Sequence, residues 1–316
     1  MGGARIAAVV VTLDRRAQAE ITVARLLSEP VDHVVVVDNG STDGTREWLA
    51  GLIDPRLDVI CPARNLGGAG GFEAGLRHAA RTHDPDWTVV MDDDARPLPG
   101  TIAAFRERDW TDWEAVAGGA FLPSGEICEM NRPWVNPFWD GAAFRRTFAG
   151  GGRMGFHLPD AAFAADAPRP IHGAAFVGLF LSRAALAQGG FPDGDLFIYA
   201  DDSIYTLELS RAGGRIAFVP ALRFEHDCQT FAQEGPKIYR PLWKVYYTYR
   251  NGLILYRRAA GPWFWPLLPL VVAKWAWAGR HYGAERGAYY RLLARGVRDS
   301  LTGRRDAPEG VPSPAR

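Results

Sequence analysis

The chain lacks any excess of charge. Its 36 Lys and Arg are balanced by 36 Asp and Glu over 316 residues, so nothing global favours a nucleic-acid partner. Cysteine is scarce. Cys61, Cys128 and Cys228 are odd in number and far apart, with no zinc spacing and no disulfide framework, and a reducing compartment suits them best. No signal-peptide pattern follows Met1, since the chain runs almost at once into a strand-like segment; a cytoplasmic protein is expected. No internal repeat is visible. No apolar run reaches membrane-spanning length either: Pro262, Pro266, Pro269 and Lys274 interrupt the C-terminal one before a helix of about 20 residues is complete. What is present, 47% hydrophobic and 23% charged residues, is enough for one large or two smaller globular domains.

Arg5 to Leu13 and His33 to Asp38 are continuous β-branched runs, the pattern of parallel strands buried on both faces. Leu57 to Cys61 and Trp87 to Met91 read as two more strands. Between them, helices are expected over Ala17 to Leu27, from a capped start at Ser41 to Thr45, and over Phe72 to Arg81 after a Gly67–Gly71 loop. This alternation implies an α/β fold with a parallel sheet. Residues 120–165 lose periodicity and carry Trp134, Trp139 and many Gly and Pro; a long substrate region is expected there, with disorder as the alternative. Regularity returns with a strand at His172 to Leu181, helices at Ser182 to Gln188 and Ser203 to Ala212, and a strand at Arg215 to Arg223. A polar, Pro-rich tail ends the chain.

Asp92-Asp93-Asp94 closes the fourth strand. Three adjacent carboxylates repel one another and are costly to bury unpaired. At the carboxyl end of a strand, where α/β folds build their sites, a hard divalent cation shared with a phosphate would relieve them. A solvated acidic turn is the other possibility. Asp38 ends the second strand, placed either to accept from a base or ribose or to cap the next helix; Thr12 and Asp14 face the same crevice. Arg64-Asn65-Leu66-Gly67-Gly68-Ala69-Gly70-Gly71 is not a dinucleotide fingerprint, because Glu73 stands where its last glycine belongs. Its amides can still meet an anion at a helix start, unless the glycines serve only close packing. Asp201-Asp202 opens a helix, and His226 follows a strand between Glu225 and Asp227. One acidic cluster can bind metal while the other takes a proton, and a strand-end imidazole is a candidate third ligand.

In this order, Val9-Val-Val-Thr12, Val35-Val-Val-Asp38-Asn-Gly-Ser-Thr-Asp-Gly-Thr45, Asn65-Leu-Gly-Gly-Ala-Gly-Gly71 and Met91-Asp-Asp-Asp-Ala95 resemble the inverting nucleotide-sugar glycosyltransferases of family 2. The resemblance spans roughly residues 5–232 and is nearest to bacterial galactofuranosyltransferases, with rhamnosyltransferases as relatives. It implies a GT-A fold, a Rossmann-like, mostly parallel central sheet flanked by helices, over residues 1–232. A helical, aromatic-rich extension over 233–302 and a flexible tail over 303–316 would follow. By the same resemblance, Thr12, Asp14 and Asp38 lie around the nucleotide's base and ribose, Arg64 and Asn65 beside the diphosphate, and Asp93 near the sugar. Asp92, Asp94 and His226 would hold Mg2+ or Mn2+. Asp202 would be the general base, with Asp201 beside it. Leu13-Asp14 departs from the aromatic-Asn common in the family, which bears on base contacts.

The implied donor is a UDP-sugar and the implied acceptor a glycan or polyprenyl-linked glycan of the cell wall or surface. Rhamnosyl transfer from a dTDP-sugar, nucleotidyl transfer and non-catalytic glycan or membrane binding are the alternatives, and oligomerisation is open. In residues 243–282, Trp243, Tyr246, Tyr247, Trp263, Phe264, Trp265 and Trp275 alternate with Lys244, Arg250, Arg257, Arg258, Lys274 and Arg280. This is the composition of a peripheral membrane interface, with packing on the core as the competing expectation.

Overall fold

The structure is a computed structural model describing residues 3–165, 167–228 and 237–313. The central sheet begins with four parallel strands, β1 (Ile6–Thr12), β2 (His33–Asp38), β3 (Leu57–Ile60) and β4 (Trp87–Asp92). These alternate with helices α1 (Arg16–Ser28), α2 (Thr45–Gly51) and α3 (Gly67–Thr82). All seven residues of β1 are buried. Ile6, Ala8 and Val10 enter one apolar cluster and Ala7, Val9 and Val11 the other. Burial on both faces is why these strands read as unbroken apolar runs.

The second half of the sheet comprises β5 (Ala95–Pro97), β6 (Ala115–Phe121), β7 (Arg169–Ile171), β8 (Leu179–Ser182) and β9 (Ile216–His226). Its order is β3-β2-β1-β4-β8-β6-β9-β5, with β7 also paired to β9. The strands β6 and β9 run parallel to each other, while β8 is antiparallel to both β4 and β6, and β5 and β7 are antiparallel to β9. Helices α4 (Thr101–Arg106), α5 (Gly141–Arg146), α6 (Arg183–Gly189) and α7 (Asp201–Arg211) fill the connections. Residues 120–165 are ordered as short helical turns rather than disordered. Trp134 joins them to the core, exchanging backbone hydrogen bonds with Gly173.

Two expectations change. The helix α3 begins at Gly67, so the glycine run lies in its first turns instead of in a loop. The reason is contact: a Cβ on Gly71 would stand 2.5 Å from Val11 Cγ1, and one on Gly75 would stand 2.5 Å from Val9 Cγ1. Likewise, His172 to Leu181 is not one strand. The chain leaves β7 at Ile171 and enters β8 only at Leu179, after Gly178 with φ +71°.

Three C-terminal helices, α8 (Lys244–Ala260), α9 (Phe264–Ala278) and α10 (Arg286–Thr302), complete the molecule. The expected boundary at residues 232/233 lies outside the described residues. The aromatic stretch divides in two. Tyr246 and Tyr247 are fully buried, Phe264 is buried, and Trp243 and Trp275 pack against buried tyrosines. Trp263 and Trp265 are each 59% exposed, and Leu270 and Trp277 are 67% and 68% exposed. Among the described residues, no helix is long and apolar enough to cross a membrane.

Candidate active site

Asp92 ends β4 and the chain turns at once into β5, whose Ala95 pairs with His226 at the end of β9. That turn brings together the ligand atoms of Asp92, Asp94 and His226, all within 4.8 Å of one another. Asp94 Oδ1 lies 3.2 Å from His226 Nε2, and Asp94 Oδ2 lies 2.8 Å from Arg15 Nη2. Burial would raise the Asp94 carboxyl, but His226 and Arg15 outweigh it and hold it below its ordinary value. Arg15 also reaches Asp93 Oδ1 at 3.1 Å, and the Thr12 hydroxyl donates to Asp93 Oδ2 at 2.8 Å. Despite these partners, burial pushes Asp93 up to about 6.

Asp92 has no such compensation. Burial, then the negative fields of Asp94, Asp93, Asp201 and Asp202, hold its carboxyl well above the usual range. The two acidic clusters, separated in sequence, therefore act on one point. Asp201 and Asp202 open α7, where the free amides of a helix start favour negative charge. The Ser203 amide donates to Asp202 Oδ1 at 2.5 Å. Burial and the neighbouring Asp202 push Asp201 up to about 7, and burial raises Asp202 as well.

The segment that delivers these carboxylates is strained. Phe197, Tyr199 and Ala200 have φ of 64°, 71° and 61°, a region costly for residues with a side chain and concentrated at functional sites. It is held from α8. The buried Asn251 Nδ2 lies 2.9, 2.8 and 2.9 Å from the carbonyls of Leu196, Ile198 and Tyr199, and buried Arg250 donates to Asp195 O at 2.7 Å. On the other side, the Phe197 carbonyl accepts from the Ala69 amide at 3.1 Å. A Cβ on Gly67 would lie 2.1 Å from that carbonyl oxygen.

Of the expected donor residues, Asp38 is fully buried, accepting from the Ser41 amide at 2.9 Å and from Arg46 Nε at 3.0 Å. Asp14, with φ +51°, accepts from the Thr42 amide at 2.6 Å and thereby ties the loop after β1 to the loop after β2. Asn65 Oδ1 accepts from the Gly67 amide at 2.7 Å, and Arg64 is exposed beside it. Thus Thr12 and Asp93 join the acidic crevice directly, whereas Asp14, Asp38 and Asn65 shape its loops.

Sequence reasoning missed four residues. Arg15 follows Asp14 at a strand end, a signal that was there to be used. Asn131, whose Oδ1 is 2.7 Å from His226 Nδ1, and Asn251 carry no local signature, and Arg250 reads as a surface cation. Cys128 and Cys228, 100 residues apart and without any zinc spacing in the sequence, come within 3.7 Å of each other. A cavity of about 980 Å3 lies elsewhere, between the ends of α7, α8 and α10. Its Ser210 is eight residues from Asp202 along α7, or about 12 Å at 1.5 Å per residue, so this cavity is not where the carboxylates meet.

Residues 7–156 match the family model described as Glycosyl transferase family 2. Those residues, just under half of the chain, form a family 2 glycosyltransferase domain. Among curated relatives, it is 38% identical over 99 residues to galactofuranosyltransferase GlfT1 of Mycolicibacterium smegmatis, a match covering 31% of this chain and 32% of that protein. It is 27% identical over 240 residues to GlfT1 of Mycobacterium tuberculosis, covering 70% and 71%. The first of these matches thus spans about a third of the relative's length. Among solved structures, GalNAc-T7 with UDP, GalNAc and Mn2+ superposes with a TM-score of 0.58 at 13% identity, over 80% of this chain and 48% of that one. Mannosyltransferase PcManGT from Pyrobaculum calidifontis, in complex with GDP-Man and Mn2+, gives 0.52 at 17% identity over 96% and 88%. At these identities the likeness is one of fold, and the fold is the GT-A arrangement with a helical C-terminal extension. Asp92 to Asp94 therefore lie inside the family-matched segment, and Asp201-Asp202 lie beyond it on the same GT-A fold.

Proposed function

We propose that the protein is an inverting, metal-dependent glycosyltransferase that moves a sugar, best matched by galactofuranose from a UDP-sugar, to a hydroxyl of a lipid-linked or cell-surface glycan. One observation carries this reading: the uncompensated Asp92 carboxylate sits in the combined field of Asp93, Asp94, Asp201 and Asp202. Such a concentration of negative charge is stable only with a cation or a retained proton. The donor set of Asp92, Asp94 and His226, two carboxylates and an imidazole, fits Mn2+ or Mg2+. When bound there, the ion neutralises charge on the leaving diphosphate.

The protein's own groups do the rest. Thr12 and Arg15 hold Asp93 in place at the sugar side of the turn. The strained 197–200 segment, clamped by Asn251, sets Asp202 across the crevice, where it removes the proton of the acceptor hydroxyl as that oxygen attacks the anomeric carbon. Arg64, exposed beside the start of α3, stands ready for the diphosphate. The relatives named galactofuranosyltransferase support the choice of sugar. The exposed tryptophans of α9 support a peripheral position on the inner face of the cell membrane, where a lipid-linked acceptor is presented. Incubating the protein with a panel of nucleotide-sugars and Mn2+ or Mg2+, and determining the anomeric configuration of any product, tests the reading. Turnover without added divalent ion, or retention of configuration, would overturn it.

A further inference from the structure

The His226 ring has two faces of chemistry. Its Nε2 points at Asp94 Oδ1, 3.2 Å away, within the acidic crevice. Its Nδ1 points away from that crevice, 3.7 Å from Cys128 Sγ, and Cys128 Sγ is in turn 3.7 Å from Cys228 Sγ. Two thiolates, each about 2.3 Å from a tetrahedral zinc ion, stand about 3.8 Å apart, and a thiolate and an imidazole nitrogen stand about 3.6 Å apart. Both observed spacings match a Cys2His ligand set, and the ligand atoms of Cys128, His226 and Cys228 all lie within 4.8 Å of one another. In the metal-free protein Asn131 Oδ1 is hydrogen-bonded to His226 Nδ1 at 2.7 Å and to Cys128 Sγ at 3.0 Å, so it gives up both contacts when an ion takes their place.

The contact to Asp94 completes the pattern. A histidine that ligates a metal through one nitrogen commonly donates its other N–H to a carboxylate, which fixes the tautomer and raises the ligand's basicity. Asp94 is that carboxylate for Nδ1 ligation. Cys128 is buried and Cys228 half-buried, so Cys228 is the side from which an ion reaches the cluster.

We propose that Cys128, Cys228 and His226 Nδ1 form a site for a thiophilic divalent ion of the Zn2+ class, separate from the hard-ion set of Asp92 and Asp94 but sharing the His226 ring. Binding displaces the two thiol protons to solvent and leaves two metal–thiolate bonds and one metal–imidazole bond, with no change of oxidation state. The ion also commits Nε2 to donate to Asp94, so that Nε2 is no longer a ligand for the catalytic ion. Occupancy of the thiolate site therefore opposes the use of the crevice for transfer, a consequence that rests on the transferase reading, whereas the site itself does not.

The test uses the full chain, reduced with a metal-free phosphine. Titration with Co2+ should give sulfur-to-cobalt charge-transfer absorption and tetrahedral d–d bands at one equivalent, and Zn2+ should bleach both. The bands should vanish in Cys128→Ser and in Cys228→Ser. They should persist in Asp58→Asn, which disables the sulfur-free cluster of Asp58, His78 and His83. Circular dichroism of the two cysteine variants checks that each remains folded; Cys228, the more exposed of the pair, serves as the decisive variant. Should transfer be observed, Zn2+ should inhibit it, and the inhibitory concentration should rise about tenfold or more in Cys228→Ser. Cobalt binding without a sulfur band would overturn the site, as would a band that survives loss of both cysteines. Zinc inhibition unchanged in Cys228→Ser would overturn the coupling to His226.

Discussion

Asn251 Nδ2 donates to the Tyr199 carbonyl at 2.9 Å, joining a helix near the C-terminus to the residue two before Asp201. The C-terminal helices are thus part of the apparatus that positions the second acidic cluster. Tyr199, Ala200 and Phe197 hold positive φ because buried Asn251 and Arg250 occupy the carbonyls that the strained turn exposes.

Asn251→Ala should therefore lower transfer while sparing donor binding. Each buried carbonyl left without a partner costs about 1–3 kcal/mol, so global stability should also fall. The distinguishing measurement is amide exchange, which should accelerate over 195–202 before the β-sheet amides respond. Asn251→Asp should fail to rescue, since a carboxylate accepts where these carbonyls need a donor. Uniform exchange across the whole domain would mean that Asn251 supports the core generally rather than this turn.

Asp202→Asn should reduce turnover by about a hundred- to ten-thousandfold, with donor affinity by calorimetry nearly unchanged. Loss of affinity in proportion to rate would make Asp202 a donor or structural residue. The same catalytic loss in Asp201→Asn, with Asp202→Asn active, would move the base by one position.

The pair also has a pH signature. Asp201 is raised from 3.8 to about 7 by burial and Asp202. Between those values the folded protein retains a proton that the unfolded chain has released. Stability is then highest below about pH 4 as far as this group is concerned, and falls as pH rises towards 7. Asp201→Asn should flatten that fall and raise the melting temperature at pH 7.5 relative to wild type. Transfer should run the opposite way, rising with pH as the raised Asp202 carboxyl loses its proton. An unchanged melting profile in Asp201→Asn would show that this carboxylate is not the strained one.

How far the sequence could be read follows from where each signal resides. Strands β1, β2 and β4 were legible to within a residue because burial on both faces leaves an unbroken β-branched run. The strand-end acids Asp92 to Asp94 were legible because repulsion among adjacent carboxylates needs a reason. The start of α3 was not, because glycine has poor helix propensity and Gly67, Gly70 and Gly71 are set by close contact with Phe197, Leu66 and Val11. The Cys128–Cys228 approach and the Asn251 clamp depend on residues that meet only after folding across 100 and about 50 positions. Arg250 carried a misleading signal. It stands among aromatics and reads as a surface cation, yet it is 1% exposed and bonded to backbone carbonyls.

Arg15 offsets the repulsion of Asp93 and Asp94 when no divalent ion does so. Arg15→Ala should lower the melting temperature of the metal-free protein by a few degrees, the scale of about 1 kcal/mol in a domain of this size. Saturating Mn2+ should then restore more of the loss than it adds to wild type. Asp92→Ala and Asp94→Ala should show the reverse, a smaller metal-induced gain in melting temperature together with loss of metal-dependent turnover. Equal Mn2+ responses in all four proteins would place the ion elsewhere.

The outward side of α9 gives the last prediction. Trp263, Trp265, Leu270 and Trp277 are exposed on or beside a 15-residue helix, with the Arg257 guanidinium over the Trp265 ring and the Arg280 guanidinium over Trp277. Soluble proteins rarely leave so many large apolar groups together without a partner surface. Tryptophan beside arginine suits the headgroup layer of an anionic bilayer, where the ring lies at the interface and the cation meets phosphate. Tyr246 and Tyr247 are excluded from this role by their burial, so the anchor is confined to residues around 257–280. Co-sedimentation with liposomes should increase with anionic lipid and decrease with salt. It should drop in a Trp263→Ser, Trp265→Ser, Trp277→Ser variant and, more modestly, when Arg257, Arg258 and Lys274 are neutralised. Each basic group near the surface is worth about 1 kcal/mol, so three neutralisations should weaken binding by roughly two orders of magnitude at low salt. Binding indifferent to lipid charge and to the tryptophans, with concentration-dependent self-association in its place, would assign this face to a second copy of the chain.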